Sequence, residues 1–197
     1  MDSQDLADLE DVTWPRPPPE GFTAGDLDII PGMPEHVELI DGALVFPARQ
    51  YLYHSCLISR LSMVLGEQAP EHLHVATRMS VWMSKRQRPE PDVSLIRDEG
   101  IRGLDQTWFP VDSVELVAEI VSGDSDVRDR VRKPQLYAEA GIPHFWRVEW
   151  EDGEAVVHVY ERDPVHGGYG RPRVQRRRLR LSRPFDIDID LTEVRTR

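Results

Sequence analysis

Between Val37 and Phe46 the stretch VELIDGALVF alternates apolar and polar positions around Asp41-Gly42. An Asp-Gly pair so flanked predicts a β-hairpin. From Tyr51 to Gln68 the apolar residues Leu57, Ile58, Leu61, Val64 and Leu65 recur at helical spacing and predict an amphipathic helix. Over 74–84, HVATRMSVWMS, the period drops to two, with Val75, Thr77, Met79, Val81 and Met83 on one face, which predicts a strand. The polar RQRPEP then leads into a short strand, DVSLI, and 97–112 reads as a loop with small apolar contacts of its own. VELVAEIV, 114–121, is apolar except for Glu115 and Glu119, as in a central strand covered on both faces. A helix over 126–140 is ended by Gly141 with Pro143 beyond it. HFWRVEW and AVVHVYER predict a hairpin across Glu151-Asp152-Gly153. The tail, RVQRRRLRLSRPFDIDIDL, adds one or two strands with Val174, Leu179 and Leu181 turned inward.

Ahead of these elements, Thr23 and Asp26 form a capping pair that opens a short helix to about Ile30. Residues 1–20, ending in WPRPPPE, read as a flexible acidic and proline-rich arm, and 21–197 as a single domain. The expected fold class is α/β (α+β), a mixed central sheet flanked by helices.

Composition narrows the function classes. The chain has 197 residues, 40% of them hydrophobic, enough for a core without staples. The single cysteine, Cys56, excludes an internal disulfide framework and a zinc knuckle. No apolar run approaches the roughly 20 residues of a membrane span. The start, MDSQDLADLED, is acidic where a secretory signal is basic and then apolar, so a reducing cytoplasm is the expected compartment.

The net charge of −11 opposes a non-specific nucleic-acid coat, because phosphate binding rests on lysine and arginine. The charge is unevenly spread, however. Residues 1–12 hold five acids and no base, while 171–183, RPRVQRRRLRLSR, hold seven arginines and no acid. This run, with Arg176 and Arg178, and the shorter one at Lys85, Arg86 and Arg88 are the phosphate-contact candidates, although the longer run suits pairing with the chain's own acids or a subunit contact as well.

Two carboxylates stand where their surroundings should reject them. Asp92 opens DVSLI directly after Pro91, and Glu119 lies inside the apolar strand. A buried charge costs several kcal/mol unless it is paired or holds a metal. On neighbouring strands the two would converge, and carboxylates with waters are the usual cradle of Mg²⁺. The plain reading of Asp92 is a strand-opening or turn-capping residue, and of Glu119 an edge-facing glutamate or an arginine partner. Asp129 and Lys133, four apart on the predicted helix, suit a solvated salt bridge as well as a site.

These segments together resemble the Uma2 family, a branch of the PD-(D/E)XK nucleases with a restriction-endonuclease-like fold. The resemblance runs from about Phe22 to Leu191 and is carried by VELIDGALVF, the helix begun near His54, RPEPDVSLI, VELVAEIVSGDSDVRDRVRKPQLYAEAGIPHFWRVE and PFDIDIDL. Glu119, Ser122, Asp129, Lys133, Tyr137 and Gly141, followed by Phe145-Trp146, are its most specific part. It implies that Asp92 and Glu119 are metal ligands for Mg²⁺ or Mn²⁺. The superfamily keeps a lysine two residues after the glutamate, where this chain has Val121, so the resemblance assigns that task to Lys133. Glu38, His54 and Asp129 would assist.

Two departures bear on this: Ser122 is followed by Gly123 where the family has proline, and Pro134 directly follows Lys133, so the helix is kinked there or begins there. The resemblance thus implies a metal-dependent endodeoxyribonuclease, with DNA as substrate and a homodimeric state. The alternative is a nuclease-fold domain without catalysis that binds nucleic acid or protein.

Overall fold

A computed structural model of the chain describes residues 16–122 and 128–194. Of the expected arm, 1–15 lie outside the described residues and 16–20 form neither helix nor strand. The elements are α1 (Asp26–Ile29), β1 (Glu38–Ile40), β2 (Ala43–Val45), α2 (Leu52–Gln68), β3 (Leu73–Thr77), β4 (Ser80–Trp82), β5 (Val93–Arg97), β6 (Trp108–Pro110) and β7 (Val114–Ile120). After β7 come a π-helical turn (Arg128–Arg132), α3 (Lys133–Glu139), β8 (His144–Glu151), β9 (Glu154–Glu161), β10 (Arg173–Arg176), β11 (Arg178–Leu181) and β12 (Ile187–Asp190).

Six strands form the central sheet in the order β10-β9-β8-β7-β5-β3. β7 and β8 run parallel, and the other neighbours are antiparallel. A parallel pair needs a crossover. The π turn and α3 supply it, as the predicted helix did, although its expected first residues, 126 and 127, lie outside the described residues. The sheet is therefore mixed, as expected.

Alternation along β7 divides the core. Leu116, Ala118 and Ile120 meet Leu57, Leu61 and Leu65 of α2 and Leu179, Leu181, Ile187 and Ile189 of the β11–β12 hairpin. Val117 faces the other way, onto Tyr137 of α3 with Ile96, Ile142 and Phe145. Leu57, Leu61 and Leu65 are fully buried, each contributing about 2 kcal/mol of transfer free energy. Both predicted hairpins form at their Asp-Gly pairs: Asp41 (φ 54°) with Gly42 (φ 79°), and Asp152 (φ 50°) with Gly153 (φ 82°). Two positive φ values suit the turn that matches strand twist.

Three expectations change. The strand over 74–84 breaks at Arg78 (φ 50°), and β4 leaves the central sheet to pair with β6, inside the expected loop. The ladder β3–β5 ends at Thr77 opposite Val93, because Pro91 has no N–H with which to continue it. Arg78 N instead donates to the carbonyls of Pro91 and Asp92, both at 3.2 Å. Leu179 and Leu181 are buried, but Val174 is 48% exposed on the edge strand β10. Arg177 (φ 62°) separates β10 from β11, so one alternation does not run through both. Among the described residues no helix is long and apolar enough to cross a membrane.

Pro134 stands at the start of α3, directly after the π-helical turn, so its missing N–H falls where the helical hydrogen-bond pattern changes. The helix ends on Gly141 (φ 89°), with Gly141 N donating to Ala138 O at 3.1 Å and Ile142 N to Tyr137 O at 3.0 Å. This double closure needs a left-handed residue. Gly141→Ala has open space around its Cβ, so its cost is backbone strain alone. It should lower unfolding free energy by about 1–2 kcal/mol in a denaturant titration, and Gly141→Asn by less.

Candidate active site

The ladder between β5 and β7 pairs Val93 with Ala118. Carried one step further, that register sets Asp92 opposite Glu119, and opposite residues of an antiparallel pair project from the same face. It is the face that α3 covers. Ile120 N donates to Asp92 Oδ2 at 2.8 Å, and His54 Nε2, buried in the first turn of α2, lies 3.2 Å from the same oxygen. Glu119 accepts from the Tyr137 hydroxyl on Oε1. Lys133 Nζ is 3.0 Å from that oxygen, 2.9 Å from Glu38 Oε1 and 3.5 Å from Asp129 Oδ1. Glu38 Oε1 also accepts from Glu90 N at 2.8 Å.

The local sequence accounts for each placement. Glu38 starts β1 beside the Leu39–Arg88 bridge, which brings it to the RPEPD segment. Lys133 opens α3, one π turn after the mouth of β7, and so reaches the space that Val121 leaves empty of a cation. Asp129 and Lys133 share a helical face as their spacing suggested, but both are 3% exposed, so the pair is no solvated salt bridge.

Glu38, Asp92, Glu119, Asp129 and Lys133 line one cavity of about 60 Å³, with His54, Glu90, Arg78, Arg128, Ser122 and Phe46 among its other walls. Burial raises the Glu119 carboxyl well above its usual range, reinforced by Asp129, Asp92 and Glu38 and opposed by Lys133. Burial acts to lower Lys133, but Glu119, Glu38 and Asp129 outweigh it and hold the ammonium well above its ordinary value. Tyr137 is pushed up by burial and by Glu119, so it stays a neutral O–H donor. The formal charge of the group is negative by several units, and carboxylates so crowded are stable only when a further cation or a proton offsets them.

Oxygen atoms remain for such a cation. Among the described residues, the protein donors given above fall on Oδ2 of Asp92 and Oε1 of Glu119, so Oδ1 and Oε2 are the oxygens that could face a cation. These are hard oxygen donors, the set that suits Mg²⁺ or Mn²⁺, and the volume admits an ion with some of its waters. A second acid–histidine group, Glu149, Glu151 and His158, has ligand atoms within 4.8 Å of one another. Arg130 and Arg147 already hold Glu149, each at 2.7 Å, and Arg176 holds Glu151 at 2.6 Å, so its charge is met by arginine.

The basic candidates lie elsewhere. Arg88 is 3% exposed and turned inward, Nη1 donating to Asp28 at 2.8 Å and to Ala24 O at 3.0 Å, so it clamps α1 and presents nothing to a phosphate. Arg86 braces the first hairpin through Asp41 O at 2.7 Å, and Lys85 is exposed beside it. Arg176 is paired with Glu151, and Arg178 with both oxygens of Asp188 at 2.6 and 2.8 Å. The tail arginines answer the chain's own acids, the alternative to phosphate contact that their sequence left open.

The cations that do line the cavity beside Lys133 are Arg78 and Arg128. Sequence reasoning missed Arg78, together with Glu90 and its partner His36, 2.5 Å from it through Nδ1. Burial raises the Glu90 carboxyl, with His36 and Arg78 opposing. Glu90 stands two residues before Asp92 between prolines and was legible as part of that segment; Arg78 carried no signal.

The sequence matches the family model described as "Uma2: Putative restriction endonuclease" over residues 25–192. The chain belongs to the Uma2 family. Uma2 membership agrees with the fold. A crystal structure of a putative nuclease of DUF820 from Anabaena variabilis superposes with a TM-score of 0.56 at 16% identity, covering 70% of this chain and 75% of that one. NucC of P. aeruginosa, in its cAAA-bound form, aligns at a TM-score of 0.33 and 12% identity over 65% of this chain and 85% of its own, a likeness too low to carry weight. No curated protein matches the sequence.

The charge imbalance has a direct consequence for stability. In EDTA, Glu119→Gln keeps an acceptor for Tyr137 and removes one crowded charge, so its melting temperature should equal or exceed that of the unaltered protein. Lys133→Met strands the carboxylates and should cost about 3–5 kcal/mol at neutral pH, in the same assay.

Proposed function

We propose that this Uma2 protein is a metal-dependent endodeoxyribonuclease whose centre is Asp92, Glu119 and Lys133. The observation that supports it most is the facing pair Asp92 and Glu119 on adjacent strands, gathered with Glu38 and Asp129 around one lysine. Asp92 and Glu119 would hold Mg²⁺ or Mn²⁺. Such an ion lowers the pKa of a bound water and offsets charge that builds on a phosphodiester.

The chain's own groups do the rest. Lys133 directs its N–H bonds at the attacking water and at the oxygens of the five-coordinate phosphorus, where they count most because water is excluded. The water oxygen forms the new P–O bond and gives its proton to a carboxylate of the cluster, while the bond to the sugar oxygen breaks and that oxygen takes a proton from solvent. His54 and Ile120 N fix the rotamer of Asp92, and Tyr137 fixes that of Glu119, so neither carboxylate swings to a solvent-facing position. Arg78, at the rim, is placed to hold the entering phosphate.

A fold kept only for binding, the alternative reading, gives no account of this cluster. Several buried carboxylates lower stability, and a docking surface has no use for them.

In a plasmid-nicking assay, the protein should convert supercoiled DNA to open circles with Mg²⁺ or Mn²⁺ and not in EDTA. Asp92→Ala and Glu119→Ala should each lower the rate by at least about 100-fold with an unchanged circular-dichroism spectrum. Arg78→Ala should raise KM more than it lowers kcat. Undiminished nicking by both carboxylate variants would remove this site from the mechanism.

A further inference from the structure

Beside the mouth of the cavity three aromatic rings form a ladder. Tyr51 stacks on Tyr53 with centroids 5.5 Å apart and planes 11° apart, and Tyr53 stacks on Trp150 at 5.6 Å and 9°. The inner rings are anchored. Tyr53 and Trp150 pack against the main hydrophobic cluster, and the Tyr53 hydroxyl donates to Val121 O at 3.3 Å. The outermost ring is open: Tyr51 is 59% exposed although Tyr53 covers one of its faces.

Its position ties it to the site. Tyr51 follows Gln50 and precedes His54, both on the cavity wall, and Val121 precedes Ser122 on the same wall. The cavity wall is mostly charged and polar, which suits an ion, waters and phosphate oxygens better than the face of a nucleobase. A base attached to the phosphate at the site is better matched by the exposed part of that wall, Phe46, Pro47 and Gln50, next to Tyr51.

We propose that Tyr51, backed by Tyr53 and Trp150, is a stacking platform for an unpaired base next to the cleaved phosphate, and that the substrate is single-stranded or locally unpaired DNA. The chemistry separates this from a duplex. Bases within a duplex already have both faces stacked, so an exposed ring at the site gains nothing from them, whereas every unpaired base offers a free π-face. Duplex binding would also draw on lysine and arginine along the backbone. Here Arg173, Arg176 and Arg178 are engaged with Glu161, Glu151 and Asp188. A platform held at two levels loses little side-chain freedom when a base settles on it.

The proposal rests on the nuclease reading for its chemistry, and its test is a binding measurement that needs no cleavage. The full chain is titrated in Ca²⁺ against fluorescent phosphorothioate oligothymidylate and against a phosphorothioate duplex. Anisotropy should show the single strand bound more tightly. Tyr51→Ala should weaken single-strand binding about tenfold, the scale of one base–aromatic stack, and change duplex binding less than about twofold. Tyr51→Phe should restore it. A 2-aminopurine placed in the strand should lose fluorescence on binding the unaltered protein and the Phe variant, but not the Ala variant. Equal affinity of Tyr51→Ala and the unaltered protein for the single strand, equal loss on strand and duplex, or no binding to either overturns the platform. Tyr51-dependent binding without any nicking would support the platform while removing the nuclease reading. Metal-dependent nicking of a single strand that Tyr51→Ala leaves untouched would do the reverse.

Discussion

One constraint organises this molecule: Glu38, Glu119 and Asp129 surround a single buried ammonium, that of Lys133, and Asp92 lines the same cavity. Like charges in a poorly solvated space repel strongly, and Lys133, Arg78 and Arg128 are outnumbered by the acids on the same cavity. The fold tolerates the arrangement because the surrounding elements fix each carboxylate by name. Ile120 N and His54 meet Asp92, Tyr137 meets Glu119, and Glu90 N meets Glu38. In the proposed site a divalent cation would offset the negative charge that these acids share.

The topology serves the same end. Placing β5 and β7 as antiparallel neighbours sets Asp92 against Glu119, while the parallel step from β7 to β8 demands a crossover on that face. α3 is that crossover, and its first residue is Lys133. In the proposed site the cation comes from the connection rather than the strand, and Val121 at the strand end is apolar. The hairpin β1–β2 closes the group from the side with Glu38, and α2, whose leucines seat it on the opposite face, extends its first turn past the sheet to bring in His54.

Much of this could be read from local chemistry. Asp41-Gly42 and Asp152-Gly153 make their turns because short polar side chains and glycine accept positive φ. The α2 stripe and the nearly unbroken apolar run of β7 follow from burial on one face and on two. Asp92 and Glu119 stood out as charges in apolar strands. Other features depend on pairing between distant segments and left no local mark. The period of two across 74–84 persists through Arg78, yet its left-handed backbone and the prolines at 89 and 91 send β4 to β6. Arg88 belongs by composition to an exposed basic run, but Asp28, sixty residues away, pulls it inside. Tyr51, Tyr53 and Trp150 meet only because the start of α2 crosses the end of β8, a juxtaposition set by tertiary packing.

The account stands on a divalent cation filling the charge deficit between Asp92 and Glu119. Electron paramagnetic resonance of free Mn²⁺ during titration with the purified protein tests this most directly. Stoichiometric loss of the free-ion signal, one ion per chain, that Asp92→Asn abolishes is the predicted result. A free-ion signal that the unaltered protein does not diminish, or that Asp92→Asn diminishes equally, would contradict it.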